Sequence, residues 1–105
     1  MSNVAPLNIL SAVVVLDSSL DGWTFLDSSE KTERTFLSRV TFGREFTAPP
    51  VVHVGIVGLD VSKEDNVRLR VRALDITAGG FLLEAETWHH TKIWSVEVSW
   101  LAIGS

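Results

Sequence analysis

Short runs rich in Val, Ile, Phe, Trp and Thr recur along the chain, each broken by a cluster of Asp, Ser, Gly or Pro, and no stretch repeats its apolar residues at the helical period. β-branched and aromatic side chains suit a pleated, half-buried surface, and short strands separated by turn signals mark a sandwich or barrel. The fold class is therefore all-β, a six-stranded antiparallel β-sandwich. The expected strands are Ala12–Leu16, Arg34–Phe42, Val51–Gly58, Val67–Ile76, Phe81–Trp88 and Ile93–Ile103, with a short extra piece at Trp23–Leu26. With 105 residues, 46% of them apolar, the chain holds one core and is too short for two ordinary domains.

The absence of cysteine removes disulfides, thiolate nucleophiles and cysteine-ligated zinc together. A formal charge of -4 argues against a grip on nucleic acid, whose phosphates call for a basic surface. The N-terminus has no Lys or Arg ahead of its apolar stretch, so no signal peptide is expected. The most apolar run, Val51 to Leu59, is too short to span a bilayer, so a soluble protein without membrane insertion is expected, in a compartment left open.

Alternation gives each strand two faces. Val67, Leu69, Val71 and Ala73 alternate with Arg68, Arg70 and Arg72, which sets the arginines on the face away from the core. Pro49-Pro50 leads into Val51–Gly58, which reads as a central strand. Thr77-Ala78-Gly79 predicts a three-residue hairpin loop with Gly79 in the left-handed conformation. Counted outward from that turn, Arg72 falls opposite Glu84, Arg70 opposite Glu86 and Arg68 opposite Trp88. A second hairpin through His89-His90-Thr91-Lys92 would pair Trp100 with Phe81, Val98 with Leu83 and Val96 with Ala85 to build the core, and Glu97 with Glu84 on the opposite face.

Thr87 to Trp94 is the most informative stretch, with two indoles and two imidazoles close together. Flat aromatic faces pack on the C–H surfaces of pyranose rings, while Arg, His and carboxylates hydrogen-bond to hydroxyls, so this mixture suits a sugar. Arg70 and Arg72 have glutamates opposite them, whereas Arg68 either offers its donors to a ligand or stacks on Trp88. Trp88 shares the polar face with Glu84 and Glu86, where a large ring wants a ligand or another subunit. Trp94 shares parity with Val96 and Val98, which fits the core as well as a site. Asp65, three residues before Arg68, can orient that guanidinium or accept from a sugar hydroxyl.

Other chemistries find little support. His89 and His90 are adjacent and His53 lies in a distant strand, so no metal is expected. Asp60–Asn66 resembles a calcium loop faintly but lacks its sixth-position glycine and closing glutamate, and reads as a solvated connection. There is no Gly-x-Ser-x-Gly elbow and no phosphate-cradling glycine loop. Glycoside hydrolysis needs only two carboxylates about 5 to 10 Å apart, but so small a chain offers little wall for a deep cleft. Neither enzyme activity nor a cofactor is expected.

From about Trp23 onward the chain resembles the H-type lectins. The likeness runs through Val40-Thr41-Phe42, Pro49-Pro50-Val51-Val52, Leu59-Asp60-Val61, Asn66-Val67-Arg68, Gly80-Phe81, Thr87-Trp88-His89 with Thr91-Lys92, and Ser99-Trp100. It implies an H-type lectin-like domain over residues 21–105, preceded by an N-terminal arm or first strand over 1–20. It also implies a homotrimer with sites between subunits, taking glycans that end in galactose or N-acetylgalactosamine. In the snail-type pattern the arginine matching Arg68 reaches the axial hydroxyl and the histidine matching His89 meets the acetamido group, with Trp88 and Trp94 matching aromatics of the site. The loop after Trp23 supplies an aspartate, for which Asp27 is the counterpart, with Ser29 and Glu30 as alternatives. That loop is about three residues shorter than the snail-type loop. The shortening motivates an alternative, a structural or attachment module of the same fold without sugar binding.

Overall fold

The structure is a computed structural model that describes residues 6–27 and 33–105. Six antiparallel strands form two sheets and no helix occurs among the described residues: β1 (Asn8–Asp17), β2 (Arg34–Thr41), β3 (Val51–Val61), β4 (Arg70–Leu74), β5 (Gly80–Thr87) and β6 (Ile93–Gly104). One sheet has the order β1-β6-β3 and the other β2-β5-β4, stacked face to face as an all-β sandwich.

The alternation names the buried faces correctly except at Val67, which precedes β4 and is 51% exposed. Phe36 and Val40 from β2, Phe81, Leu83 and Ala85 from β5, and Val96, Val98, Trp100 and Ala102 from β6 fill the space between the sheets. Phe42 joins them, with its ring centroid 5.8 Å from Phe81 and 5.5 Å from Trp100. The two central strands, β5 and β6, carry most of this apolar surface.

The expected hairpin between β5 and β6 does not form. They belong to different sheets, and Trp88–Lys92 carries the chain across the sandwich. Phe81 therefore meets Trp100 edge to face at 5.8 Å rather than as a ladder neighbour. Parity says which residues point inward, but it cannot say whether inward residues of two strands lie side by side or face to face. The expected pairing of Glu97 with Glu84 disappears for the same reason, since they lie in different sheets. Glu97 lies beside Val15 and Gly58, and Glu84 beside Arg72.

Val51–Gly58 is not a central strand either. β3 is an edge, and β6 takes the middle of its sheet. β1 begins at Asn8, earlier than the apolar run suggests, because β6 offers a partner at every position from Ser95 to Gly104. Trp23–Leu26 forms turns rather than a strand. Trp23 donates its indole N–H to the Ile93 carbonyl at 3.0 Å, and the fully buried Phe25 accepts the Ile93 N–H at 2.9 Å.

The register of β4 on β5 is the expected one, with Arg70 opposite Glu86 and Arg72 opposite Glu84. The turn itself differs. Thr77 donates its N–H to the Gly80 carbonyl at 2.9 Å, which leaves a two-residue loop, and the positive φ of 50° falls on Asp75 rather than Gly79. Gly80 is needed where β5 starts, because a Cβ there would run into the Val40 carbonyl oxygen.

Leu83 is fully buried between the sheets, whereas Leu37 is 53% exposed on the outer face of β2. Leu83→Ala is expected to lower the unfolding free energy by about 2–5 kcal/mol in urea titration. Leu37→Ala is expected to stay within about 0.5 kcal/mol of the parent.

Candidate functional site

β3 ends at Val61, and the chain then runs through 62–69 before β4 begins at Arg70. Residues 67–69 were expected to open β4, but no strand forms there, and the main chain of Asn66 and Arg68 bonds to threonine side chains instead. Thr87 donates its hydroxyl to the Arg68 carbonyl at 2.5 Å. Thr91 donates to the Asn66 carbonyl at 2.6 Å and accepts the Arg68 N–H at 3.2 Å. Both threonines are essentially inaccessible to solvent, so these bonds are protected from competition by water.

An open depression of about 510 Å³ results, lined by Lys63, Glu64, Asp65, Asn66, Arg68, His89 and His90. Two cations, two carboxylates, an amide and two imidazoles thus converge on one hollow with no large apolar wall. Such a lining suits a ligand rich in hydroxyls better than an apolar one. The Arg68 guanidinium has no hydrogen bond or ion pair among the described residues, whereas Arg70 meets Glu86 at 2.8 Å and Arg72 meets Glu84 at 3.2 Å and Glu86 at 3.1 Å. Among the described residues no group of three or more His, Cys, Asp or Glu side chains is disposed to hold a metal ion.

His89 sits on the rim with a φ of 58°, a left-handed conformation that few non-glycine residues adopt. A buried arginine holds it there. Arg34, 5% exposed, donates from Nη2 to the carbonyls of His89 at 2.6 Å and Thr91 at 3.0 Å. From Nη1 it donates to the Asp27 carbonyl at 2.6 Å. Burial pulls the Arg34 pKa below its ordinary value, and the Asp27 charge partly offsets this.

Of the residues singled out in the sequence, Arg68, His89 and Asp65 come together in the depression. Trp88, Trp94 and Asp27 do not line it, and Ser29 lies outside the described residues. The indole of Trp88 is covered by Arg70, whose guanidinium carbon lies 4.8 Å from the ring centroid, and not by Arg68 as the register suggested. The β4–β5 ladder stops at the Arg70–Glu86 pair, so Arg68 turns away before reaching the indole. Trp94 is 42% exposed rather than packed in the core, because a register irregularity between Asp60 and Val61 reverses the parity of β6 at its start.

The sequence reading missed Lys63, Glu64, Asn66 and His90 as lining residues and Arg34, Thr87 and Thr91 as supports. Arg34 had left a signal: it shares parity with Phe36 and Val40, which places a charge on an inward face. Thr87 and Thr91 stood out only as members of the blocks shared with the H-type lectins, because a threonine in a β-rich chain is ordinary.

The fold is thus an antiparallel two-sheet sandwich with a polar hollow beside the β5–β6 crossing. The H-type lectin domain model matches residues 37–103, and the chain belongs to that family. It is 40% identical over 72 residues to a Fuscovulum blasticum protein called ATP synthase subunits region ORF 7, a match that covers 69% of this chain and 63% of that one. Its fold is similar to that of recombinant discoidin II of Dictyostelium discoideum, with a TM-score of 0.79 at 23% identity over 99% of this chain and 39% of discoidin II. Wild-type discoidin II from the same organism gives a TM-score of 0.77 at 22% identity, over 98% of this chain and 38% of that one. The chain thus spans less than two thirds of each of these relatives.

Thr91→Val keeps the shape of the side chain but removes the hydroxyl that serves Asn66 and Arg68. It is expected to cost about 1–3 kcal/mol in urea unfolding, with the far-ultraviolet β spectrum retained.

Proposed function

We propose that this protein is a carbohydrate-binding lectin, not an enzyme, and that it takes galactose-type sugars, N-acetylgalactosamine first among them, in the depression beside Arg68. The observation that carries this reading is the Arg68 guanidinium, without a partner among the described residues, beside His89 and Asp65 in a chain of the H-type lectin family. Arg68 donates to the axial hydroxyl, Asp65 accepts hydroxyl protons, and His89 meets the acetamido group. Charge-assisted hydrogen bonds of this kind give orientation as well as affinity. The open depression leaves much of the sugar wet, which suits reversible binding more than bond cleavage.

The reading includes a homotrimer with sites completed between subunits. Apolar side chains stand exposed at both edges of one sheet, Val13 and Val15 on β1 and Val51, Ile56, Val57 and Leu59 on β3. A closed ring needs such a contact between two different surfaces, and a trimer is the smallest ring beyond a dimer. The depression opens where the β3 edge runs into 62–68, whereas the Trp94 carbonyl takes the Ser18 N–H at the end of β1. Trp94 and Asp27 are then available to the site of a neighbouring subunit. Three weak sites in one assembly raise avidity by roughly 10²- to 10⁴-fold when a glycan surface engages them together.

On a glycan array the wild type is expected to bind structures ending in N-acetylgalactosamine or galactose, and Arg68→Ala to lose that signal. Native mass spectrometry is expected to give a trimer, and Val15→Glu a monomer that no longer binds the array. A trimer with a blank array would instead favour an attachment module that keeps the fold without the sugar.

A further inference from the structure

We infer that Arg34 is the positioning residue of this site, a buried guanidinium that ties the loop of Asp27 to the loop of His89 and sets both for ligand. The inference rests on the lectin reading for what that ligand is, though not for the tie itself. Three carbonyls converge on one side chain: Asp27 and His89 each at 2.6 Å, and Thr91 at 3.0 Å. The reach extends further through Thr91, whose hydroxyl holds the Asn66 carbonyl at 2.6 Å and the Arg68 N–H at 3.2 Å. One residue at the start of β2 thereby connects the segments bearing Asp27, His89 and Arg68.

Space-filling alone does not explain this arrangement. Arg34 occupies an inward position like Phe36 and Val40, where an apolar side chain would fill space without the cost of desolvating a charge. No carboxylate forms an ion pair with it among the described residues, and its Nε has no partner. Its hydrogen bonds go to carbonyls outside the strand ladders, at points where the chain turns. The His89 carbonyl belongs to the residue with the left-handed φ of 58°, so the guanidinium stabilises a backbone state that the chain would not favour unaided. A planar fork of donors meets several carbonyls at once, which lysine, with its single ammonium, does less well.

The test uses the full chain with Arg34→Met and Arg34→Lys, amide hydrogen exchange without sugar, and titration with N-acetylgalactosamine. In Arg34→Met, exchange is expected to rise about tenfold or more both at 24–27 and at 87–92, while the β5 and β6 interiors keep their protection. Affinity for N-acetylgalactosamine is expected to fall about tenfold, because the sugar must then order the loops itself. Arg34→Lys is expected to fall between the methionine variant and the wild type on both readouts. Unchanged exchange in either loop, or protection lost uniformly through β5 and β6, would overturn the inference. Should Arg34→Met fail to fold, Arg34→Lys decides alone by the same local pattern, and its absence there overturns the inference equally. A wild type that ignores N-acetylgalactosamine while both loops loosen in the variants sinks the sugar reading and sustains the tie.

Discussion

The passage of the chain from β5 to β6 within Trp88–Lys92 is the constraint around which the molecule is arranged. Those five residues leave the centre of one sheet and arrive at the centre of the other, so the connection crosses the thickness of the sandwich instead of turning back in plane. Polar backbone that enters a protein interior must find partners. The buried Arg34 is such a partner at the crossing, donating to the carbonyls of His89 and Thr91, while the buried hydroxyls of Thr87 and Thr91 hold the adjoining main chain of Arg68 and Asn66. The hollow with Arg68 and His89 on its wall is the outer surface of this solution. Fold and site are therefore the same piece of physical chemistry seen from inside and outside.

The charges divide along similar lines. Arg70 and Arg72 are held by Glu84 and Glu86 on the outer face of β5, and Arg70 also covers the Trp88 indole. These half-exposed pairs contribute little to stability, of the order of 0–1 kcal/mol each, but they occupy the cations that would otherwise compete for a ligand. Arg68 begins the same alternation in sequence and escapes it because β4 starts two residues later. Its difference from its neighbours comes from where the ladder stops, which Thr87 and Thr91 determine.

The strand faces were legible in the sequence because alternation reports burial directly. Phe81, Leu83, Ala85, Val96, Val98 and Trp100 were all assigned inward, and all are. Their neighbours were not legible, since two strands joined by a short connection read the same whether they pair or cross. The H-type lectin resemblance carried what periodicity could not, and the family model bears it out over residues 37–103. At the hollow, Arg68, His89 and Asp65 stood out by residue type and position. Trp94 stands exposed because the register irregularity between Asp60 and Val61 breaks the parity it shares in sequence with Val96 and Val98. The supporting role of Thr87 and Thr91 was invisible because it depends on carbonyls distant in sequence, 19 and 25 residues away.

The central claim is that the hollow beside Arg68 holds a galactose-type sugar. Its most direct test is to follow the amide chemical shifts of the isotope-labelled full chain during titration with N-acetylgalactosamine. The account predicts saturable shifts at Asp65, Arg68, His89 and Thr91, absent in Arg68→Ala, with β4–β5 turn residues such as Ala78 unmoved. Shifts confined to that turn, or none at all at saturating sugar, would contradict it.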